Sequence, residues 1–183
     1  MIRTTAELQT VYGSVYQIAK AVADGKLFKG AHGIYCDHAP ELAELEMICA
    51  RYPNAVLTME SAFAFHGLSD FVPDRYEFAT PLNAHRMQSE KVTQRFTTNR
   101  VVHVGVSEVS TDHGIIHVYD KERMLIELIR AKNRLAPDYY REVINSYREL
   151  VKKGEIDLHK LSKYCSAFKK GQLIKTRIQE TVL

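Results

Sequence analysis

Residues 4–36 read TTAELQTVYGSVYQIAKAVADGKLFKGAHGIYC, and this stretch decides the fold expected for the start of the chain. Thr4 precedes Glu7 by three residues, which is the spacing of a capping box and predicts the start of a helix. Ser14 and Gln17 repeat that spacing. Because a glycine follows each of the two apolar periodicities, we expect two consecutive helices joined by a tight turn.

A β-hairpin is predicted directly after the second helix. Short extended pieces at 26–29 and 34–36 flank a glycine-rich turn at 30–33, and this pattern favours a hairpin. Helix, tight turn, helix and hairpin is the order of a winged helix-turn-helix that lacks its usual first helix. The sequence therefore predicts a short winged helix-turn-helix over residues 1–37.

The second helix is predicted to have an apolar face and a polar face. The residues expected to face the core are Val15, Ile18, Ala19 and Val22. The residues on the opposite face are Tyr16, Gln17 and Lys20. Glutamine can pair with adenine, lysine with guanine or phosphate, and tyrosine with phosphate or a thymine methyl group. The polar face therefore suits contact with DNA.

Further DNA contacts are predicted on either side of this face. Ser14 offers a hydroxyl at the start of the helix, where backbone N–H groups already favour a phosphate. In the hairpin, lysine and histidine side chains could reach phosphates beside the groove. The predicted DNA-binding residues are Ser14, Tyr16, Gln17, Lys20, Lys26, Lys29 and His32.

Residues 38–183 form a second predicted domain, and the chain as a whole is predicted to be α+β. In 38–119 the patterning predicts a mostly antiparallel sheet with two helices. The clearest strand signal lies at 102–106, where valines alternate with other residues. In 120–183 the apolar period is helical throughout, which predicts a helical C-terminal part.

Charge is distributed unevenly along the chain, whose formal net charge is +3. Residues 1–37 carry four Lys/Arg against three Asp/Glu, 38–119 carry six against ten, and 120–183 carry fifteen against nine. The positive excess of the helical part suits a protein that meets a polyanion. It equally suits an ordinary solvated helical surface.

Composition excludes several classes of protein. The 183 residues are 45% hydrophobic and 26% charged, which is average for globular proteins and excludes disordered and fibrous chains. The sequence predicts no membrane span and no signal peptide. The three cysteines show no pair spacing, which suits reduced thiols. We therefore expect a cytoplasmic protein with no membrane partner.

Signatures of catalysis and of metal binding are sparse. The sequence lacks G-x-S-x-G, the glycine-rich phosphate-binding loops, C-x-x-C and H-E-x-x-H. The densest histidine group is His103, His113 and His117. We interpret it as part of a polar sheet face, because zinc needs three or four converging ligands. We expect no metal, no cofactor and no enzymatic activity.

Three segments carry a resemblance to the AbiEi-type antitoxins. Within 13–35, the runs GSVYQIAKAV, DGKL and GIY resemble the N-terminal winged helix of that family. Within 52–68, YPNAVLT and SAFAFHGL are similar to the core motif of its second domain. YDKERMLIEL at 119–128 looks like its strand-to-helix junction.

This resemblance implies a transcriptional regulator of a type IV toxin–antitoxin pair, of the kind linked to abortive infection. It implies repression of its own operon through cooperative binding to inverted repeats, with self-association on the DNA. It also implies action against a nucleotidyltransferase-like toxin without a stable complex. The positions that match the family's recognition helix are Ser14, Tyr16, Gln17 and Lys20, and those that match its wing are Lys29 and His32.

Two other functions stay open at this point. The C-terminal helices are rich in tyrosine and could neutralise the toxin by direct contact; these residues are Tyr139, Tyr140, Tyr147 and Tyr164. An enzyme acting on nucleotides or RNA would need a cleft where residues such as His66, Asp70 and Arg75 converge. We prefer an antitoxin and DNA-binding autorepressor, because no motif supports catalysis.

Overall fold

The structure is a computed structural model that describes residues 1–31, 33–37 and 43–183. The described residues form eight α-helices and two sheets, so the chain is mixed α and β, as predicted. The elements of the first 57 residues are β1 (Ile2–Thr4), α1 (Thr5–Tyr12), α2 (Val15–Ala23), β2 (Phe28–Ala31), β3 (Ile34–Cys36), α3 (Glu44–Arg51) and β4 (Val56–Leu57). The later elements are α4 (Met59–Phe65), β5 (Tyr76–Pro81), β6 (Val92–Thr97), β7 (Val106–Ser110), β8 (Ile115–Tyr119), α5 (Lys121–Ala131), α6 (Pro137–Lys152), α7 (Leu158–Ala167) and α8 (Gly171–Thr181).

The chain divides into two compact units. Unit 1 comprises residues 1–55 and 108–117, and unit 2 comprises 56–107 and 118–183. The chain passes from one unit to the other within β7 and again within β8. The domain boundaries expected at 37/38 and 119/120 stay predictions.

Unit 1 contains the predicted helix, helix and hairpin, preceded by a strand that the sequence pattern does not predict. β1 pairs antiparallel with β3, and β3 pairs antiparallel with β2, so the strand order is β1-β3-β2. Cys36 lies opposite Ile2 on one side and Phe28 on the other. Of the two hairpin strands, β3 is therefore the central strand of a three-stranded sheet and β2 is an edge strand.

Local hydrogen bonds explain where α1 and α2 begin. The Glu7 N–H donates to Thr4 Oγ1 at 3.3 Å, and the Thr4 N–H donates to Glu7 Oε2 at 2.6 Å, which confirms the predicted capping box. The N–H and the hydroxyl group of Thr4 both donate to the Glu7 carboxylate and lower the pKa of Glu7. The Gln17 N–H donates to Ser14 Oγ at 3.3 Å and caps α2. Gly13 joins the helices with a φ of +77°, a conformation that glycine adopts without strain.

The core of unit 1 corrects the predicted apolar face of α2. Ile18 and Ala21 are buried with residues of α1 and of the segment before β2, whereas Val15 and Ala19 are exposed. A nine-residue helix carries apolar residues on more than one side, so its sequence allows more than one buried stripe. Ile18 and Ala21 are the residues that become buried, because Leu8 of α1 packs against that side of α2.

The second sheet is mixed, with the strand order β6-β5-β4-β8-β7. β4 pairs antiparallel with β5, but β4 pairs parallel with β8, and β5 pairs parallel with β6 over six residues of each strand. The prediction of a mostly antiparallel sheet is therefore wrong. Alternating side chains reveal that a strand has two faces, but they do not reveal the direction of its neighbour.

The prediction of a strand at 102–106 is also wrong, because β7 begins only at Val106. Residues 101–105 form turns instead. Side chains, rather than a neighbouring strand, donate hydrogen bonds to three of their carbonyls. The Tyr119 hydroxyl donates to the Val102 carbonyl at 2.8 Å. The Arg123 guanidinium donates to the carbonyls of Val101 and Val104 at 2.5 and 2.6 Å.

The helical character predicted for 120–183 is confirmed. Asp120 caps α5 by accepting from the Arg123 N–H at 2.8 Å, and Asp157 caps α7 by accepting from the Lys160 N–H at 2.9 Å. Pro137 occupies the first position of α6. Of the helices in the described part of the chain, none is both long enough and apolar enough to cross a membrane.

Candidate nucleic-acid interface

The predicted DNA-contacting residues of α2 lie on its exposed side. Tyr16 is 75% exposed, and Gln17 and Lys20 are exposed as well. Lys20 follows Tyr16 by four residues and Gln17 by three, so its side chain neighbours both of them on the helix surface. Ile18 and Ala21 are buried and hold another side of α2 against the core. The helix therefore presents a hydrogen-bonding surface on a support that is fixed by packing.

The start of α2 provides donors for an anion. The Ser14 hydroxyl oxygen accepts the Gln17 N–H, and its own O–H group can still donate. The N–H groups of Val15 and Tyr16, the first two residues of α2, have no intrahelical acceptor, as at any helix start. The helix dipole adds a partial positive charge at this end. Ser14 therefore lies where a phosphate oxygen would be stabilised.

Two valines beside the turn between α1 and α2 are exposed, although Val15 was expected to face the core. Val11 is 64% exposed and Val15 is 54% exposed. They flank the Gly13 turn between α1 and α2 and precede Tyr16. The exposure of Val15 could have been inferred from its place at the first position of α2, because a side chain there extends beyond the end of the packed turn. Apolar groups here could contact thymine methyl groups.

The two hairpin lysines are also exposed. Lys26 lies between α2 and β2, and its N–H donates to the Ala21 carbonyl at 2.9 Å, which ties this segment to the end of α2. Lys29 belongs to β2 and lies opposite Tyr35 of β3. His32, the remaining predicted contact, lies outside the described residues.

Charge in unit 1 is concentrated rather than high. The unit has five Lys/Arg against eight Asp/Glu, so its net charge is negative. Three of those five cations are Lys20, Lys26 and Lys29, which lie within ten residues of one another in α2 and the hairpin. A DNA-binding surface in this unit would therefore depend on a small number of lysines.

The residues of the alternative enzymatic interpretation have structural contacts of their own. The His66 ring lies with Nε2 at 2.7 Å from the Tyr119 carbonyl, and burial lowers the His66 pKa, which favours the neutral ring as donor. The Asp70 N–H donates to Glu142 at 3.1 Å, and the Asp70 side chain is exposed. The Arg75 carbonyl accepts from Ser61 at 3.4 Å. These contacts join separate elements, and those of Asp70 and Arg75 are made by backbone atoms.

One histidine of the predicted group contacts a carboxylate. His117 Nε2 lies 3.1 Å from Glu108 Oε1. Nearby, burial raises the pKa of the Cys49 thiol to about 12, so Cys49 is protonated and poorly nucleophilic at neutral pH. Within residues 1–31, 33–37 and 43–183, no group of three or more His, Cys, Asp or Glu side chains is placed to hold a metal ion.

No protein-family model fits the chain, and no curated protein is significantly similar to it.

Proposed function

We propose that this chain is an AbiEi-type antitoxin that binds operator DNA through α2 and represses its own operon. The observation that carries the proposal is the exposed side of α2, where Tyr16, Gln17 and Lys20 are neighbours on a helix anchored by Ile18 and Ala21. A second helix that follows a tight turn and leaves one side free is the arrangement with which helix-turn-helix proteins read the major groove.

The unpredicted strand supports the winged form of this arrangement. β1 pairs with β3, so the β2–β3 hairpin is extended to a three-stranded sheet next to α1 in sequence. A hairpin braced in this way can hold Lys26 and Lys29 beside a groove. The proposed wing also includes His32. The two lysines and His32 would contact phosphates and would contribute affinity without reading sequence.

Base contacts would come from α2. Gln17 can donate to and accept from adenine, and Lys20 can donate to guanine or to a phosphate. Tyr16 and Val15 can contact a thymine methyl group, while Ser14 and the start of the helix hold a phosphate. Inverted repeats would bring two chains onto one site, which explains the proposed cooperative binding and self-association on DNA. The proposal includes a cytoplasmic location and a functionally paired nucleotidyltransferase-like toxin.

The test is binding of the purified full chain to the DNA upstream of its own coding sequence. Fluorescence anisotropy compares this duplex with a scrambled duplex of equal length across a series of salt concentrations. We expect tighter binding to the upstream duplex, and a linear fall of log K with log salt for both duplexes. Equal affinity for the two duplexes at every salt concentration would contradict the proposal.

The alternative of direct toxin contact depends on four tyrosines, of which three are engaged within unit 2. Tyr147 is fully buried and donates to the Lys121 carbonyl at 2.9 Å. Tyr139 packs edge-on against Phe63 and Phe71, and Tyr164 donates to Asp120 at 3.0 Å. These contacts favour the DNA-binding proposal over a tyrosine-rich docking surface. Co-elution with the neighbouring toxin on size-exclusion chromatography would instead favour the alternative.

A further inference from the structure

A groove rich in arginine and lysine lies on unit 2, whereas the residues proposed to bind DNA belong to unit 1. The last turn of α5, the 3₁₀ segment Lys132–Arg134, α6 and α8 line two cavities of about 310 and 850 Å³. The cavities share Lys132, Asn133, Tyr140 and Thr181, so they adjoin. We call the two together the basic groove. Their size lies in the range of small-molecule sites.

The basic groove has an unbalanced charge. One acidic residue, Glu180, lines it. Its five positively charged residues are Arg130, Lys132, Arg141, Arg148 and Arg177. Several positive charges converging on one concave surface attract an anion and raise its local concentration.

Three of the five cations are not neutralised by a carboxylate. Arg130 is paired, since its Nη1 donates to both Glu127 oxygens at 2.8 and 2.7 Å, and exposed Arg141 lies 3.5 Å from Asp138. The others are Lys132, Arg148 and Arg177, which form no ion pair with any carboxylate of the described residues. Such cations retain donors for a phosphate.

Arg148 is held in place without losing its charge. Its Nε donates to the Thr181 carbonyl at 3.0 Å, and its Nη1 donates to Asn145 Oδ1 at 3.2 Å. Both acceptors are uncharged, so the guanidinium is oriented but remains a full positive charge. An oriented donor loses less entropy when it binds an anion.

The wall of the basic groove suits a planar apolar ring. Tyr140 is half-buried and contributes to both cavities, and the Lys132 ammonium lies 5.9 Å from the centre of its ring. Leu135, Pro137 and Ile144 add apolar lining to the larger cavity. Nucleic-acid bases stack on tyrosine rings, whereas a simple inorganic anion has no use for such a surface.

We propose that the basic groove binds a nucleotide, with its phosphates held by Lys132, Arg148 and Arg177 and its base packed against Tyr140. The nucleotide is either a free nucleoside triphosphate or a unit of a single strand. Both sources offer the same combination of phosphate and accessible base, while a paired duplex hides the faces of its bases. This site does not depend on the function proposed for α2.

The experiment is isothermal titration of the full chain with ATP, CTP, inorganic triphosphate, a 5′-phosphorylated single-stranded hexanucleotide and a duplex of that sequence. The variant Lys132→Gln/Arg177→Gln removes two cations of the groove. The control variant Lys153→Gln/Lys163→Gln removes two exposed cations outside the groove and therefore has the same net charge as the groove variant. Tyr140→Leu removes the ring. Far-ultraviolet circular dichroism checks that each variant is folded.

We expect a nucleoside triphosphate or the single strand to bind, with affinity lowered about tenfold or more in the groove variant and unchanged in the control. Tyr140→Leu should weaken binding of the base-bearing ligands and leave inorganic triphosphate unaffected. Stronger binding of the free nucleotides or of the single strand identifies the source. No detectable binding, equal weakening in groove and control variants, or a preference for the duplex with no effect of Tyr140→Leu would each overturn the proposal.

Discussion

The backbone of Gly105 lies directly against the side chain of Arg123. A Cβ atom at Gly105 would lie 2.5 Å from Arg123 Cβ and 3.0 Å from Tyr164 Cε2, and the φ of Gly105 is +77°. The Asp120 N–H also donates to the Gly105 carbonyl at 2.8 Å. Gly105 thus lies in close contact with the start of α5, and it ends the turns at 101–105 that stand where a strand was expected.

We predict that Gly105→Ala is strongly destabilising. The new methyl group would meet Arg123 and would also be forced into a left-handed conformation, so the free energy of unfolding should fall by about 2–4 kcal/mol. Gly154→Ala is the matched control, because Gly154 has a φ of +71° with no atom within 4 Å of a Cβ. For Gly154→Ala, urea denaturation should show a decrease of about 1 kcal/mol in the free energy of unfolding. Equal decreases would mean that the close approach to Arg123 is unimportant.

Arg123 itself should be essential for the stability of unit 2. It is fully buried, its guanidinium lies 4.1 Å from the Tyr119 ring centre and 4.8 Å from that of Phe168, and its Nε donates to Glu127 at 3.0 Å. Arg123→Met leaves buried carbonyl oxygens without donors and should cost about 3–5 kcal/mol of unfolding free energy. Exposed Arg141→Met should change it by less than about 0.5 kcal/mol. Similar denaturation midpoints for the two variants would contradict this role.

On α2, we predict that Gln17→Ala/Lys20→Ala abolishes the preference for upstream DNA while the fold is retained. Each good base contact contributes about 1–3 kcal/mol, so specific affinity should fall by roughly 30-fold or more. The control Gln172→Ala/Lys153→Ala replaces a glutamine and a lysine at other exposed positions and should bind upstream DNA as tightly as the original chain does. Fluorescence anisotropy provides the measurement, and unchanged affinity in the α2 variant would refute its assignment as the recognition helix.

The hairpin lysines should contribute affinity but not specificity. For Lys26→Gln/Lys29→Gln we expect equal weakening on upstream and scrambled duplexes. The slope of log K against log salt should become shallower by about one for each phosphate that a lysine no longer neutralises. The same anisotropy titration, repeated across a salt series, checks both expectations. A selective decrease in affinity for the upstream duplex would show instead that the hairpin reads sequence.

Stability should depend on pH through His66. Burial lowers the pKa of His66 in the folded chain, so the unfolded chain binds a proton more readily. Its contribution to stability is therefore complete above the unfolded pKa of about 6.5 and is lost as the pH falls through the lower folded value. His66→Gln keeps an N–H donor for the Tyr119 carbonyl but does not titrate. Urea denaturation at pH 7.5 and 5.5 should show a smaller decrease in stability for this variant, and parallel decreases would exclude His66 as the cause.

Elements specified by neighbouring residues were predictable. The capping box of Thr4 and Glu7, the caps at Asp120 and Asp157, and the glycine at position 13 act over three or four residues, and each is present in the structure. The polar side of α2 was predictable for the same reason, since Tyr16, Gln17 and Lys20 lie within five positions.

The sequence by itself thus determined the start of helices, the hairpin and the mixed α and β class, because local hydrogen bonds and turn conformations depend on adjacent residues. The tertiary structure alone decided the exposure of Ala19, the parallel pairing of β5 with β6, and the close approach of Gly105 to Arg123. It also brought Lys132 and Arg177 to one groove from positions 45 residues apart. The physical reason is that packing chooses among several buried faces and strand directions that one local pattern permits equally well.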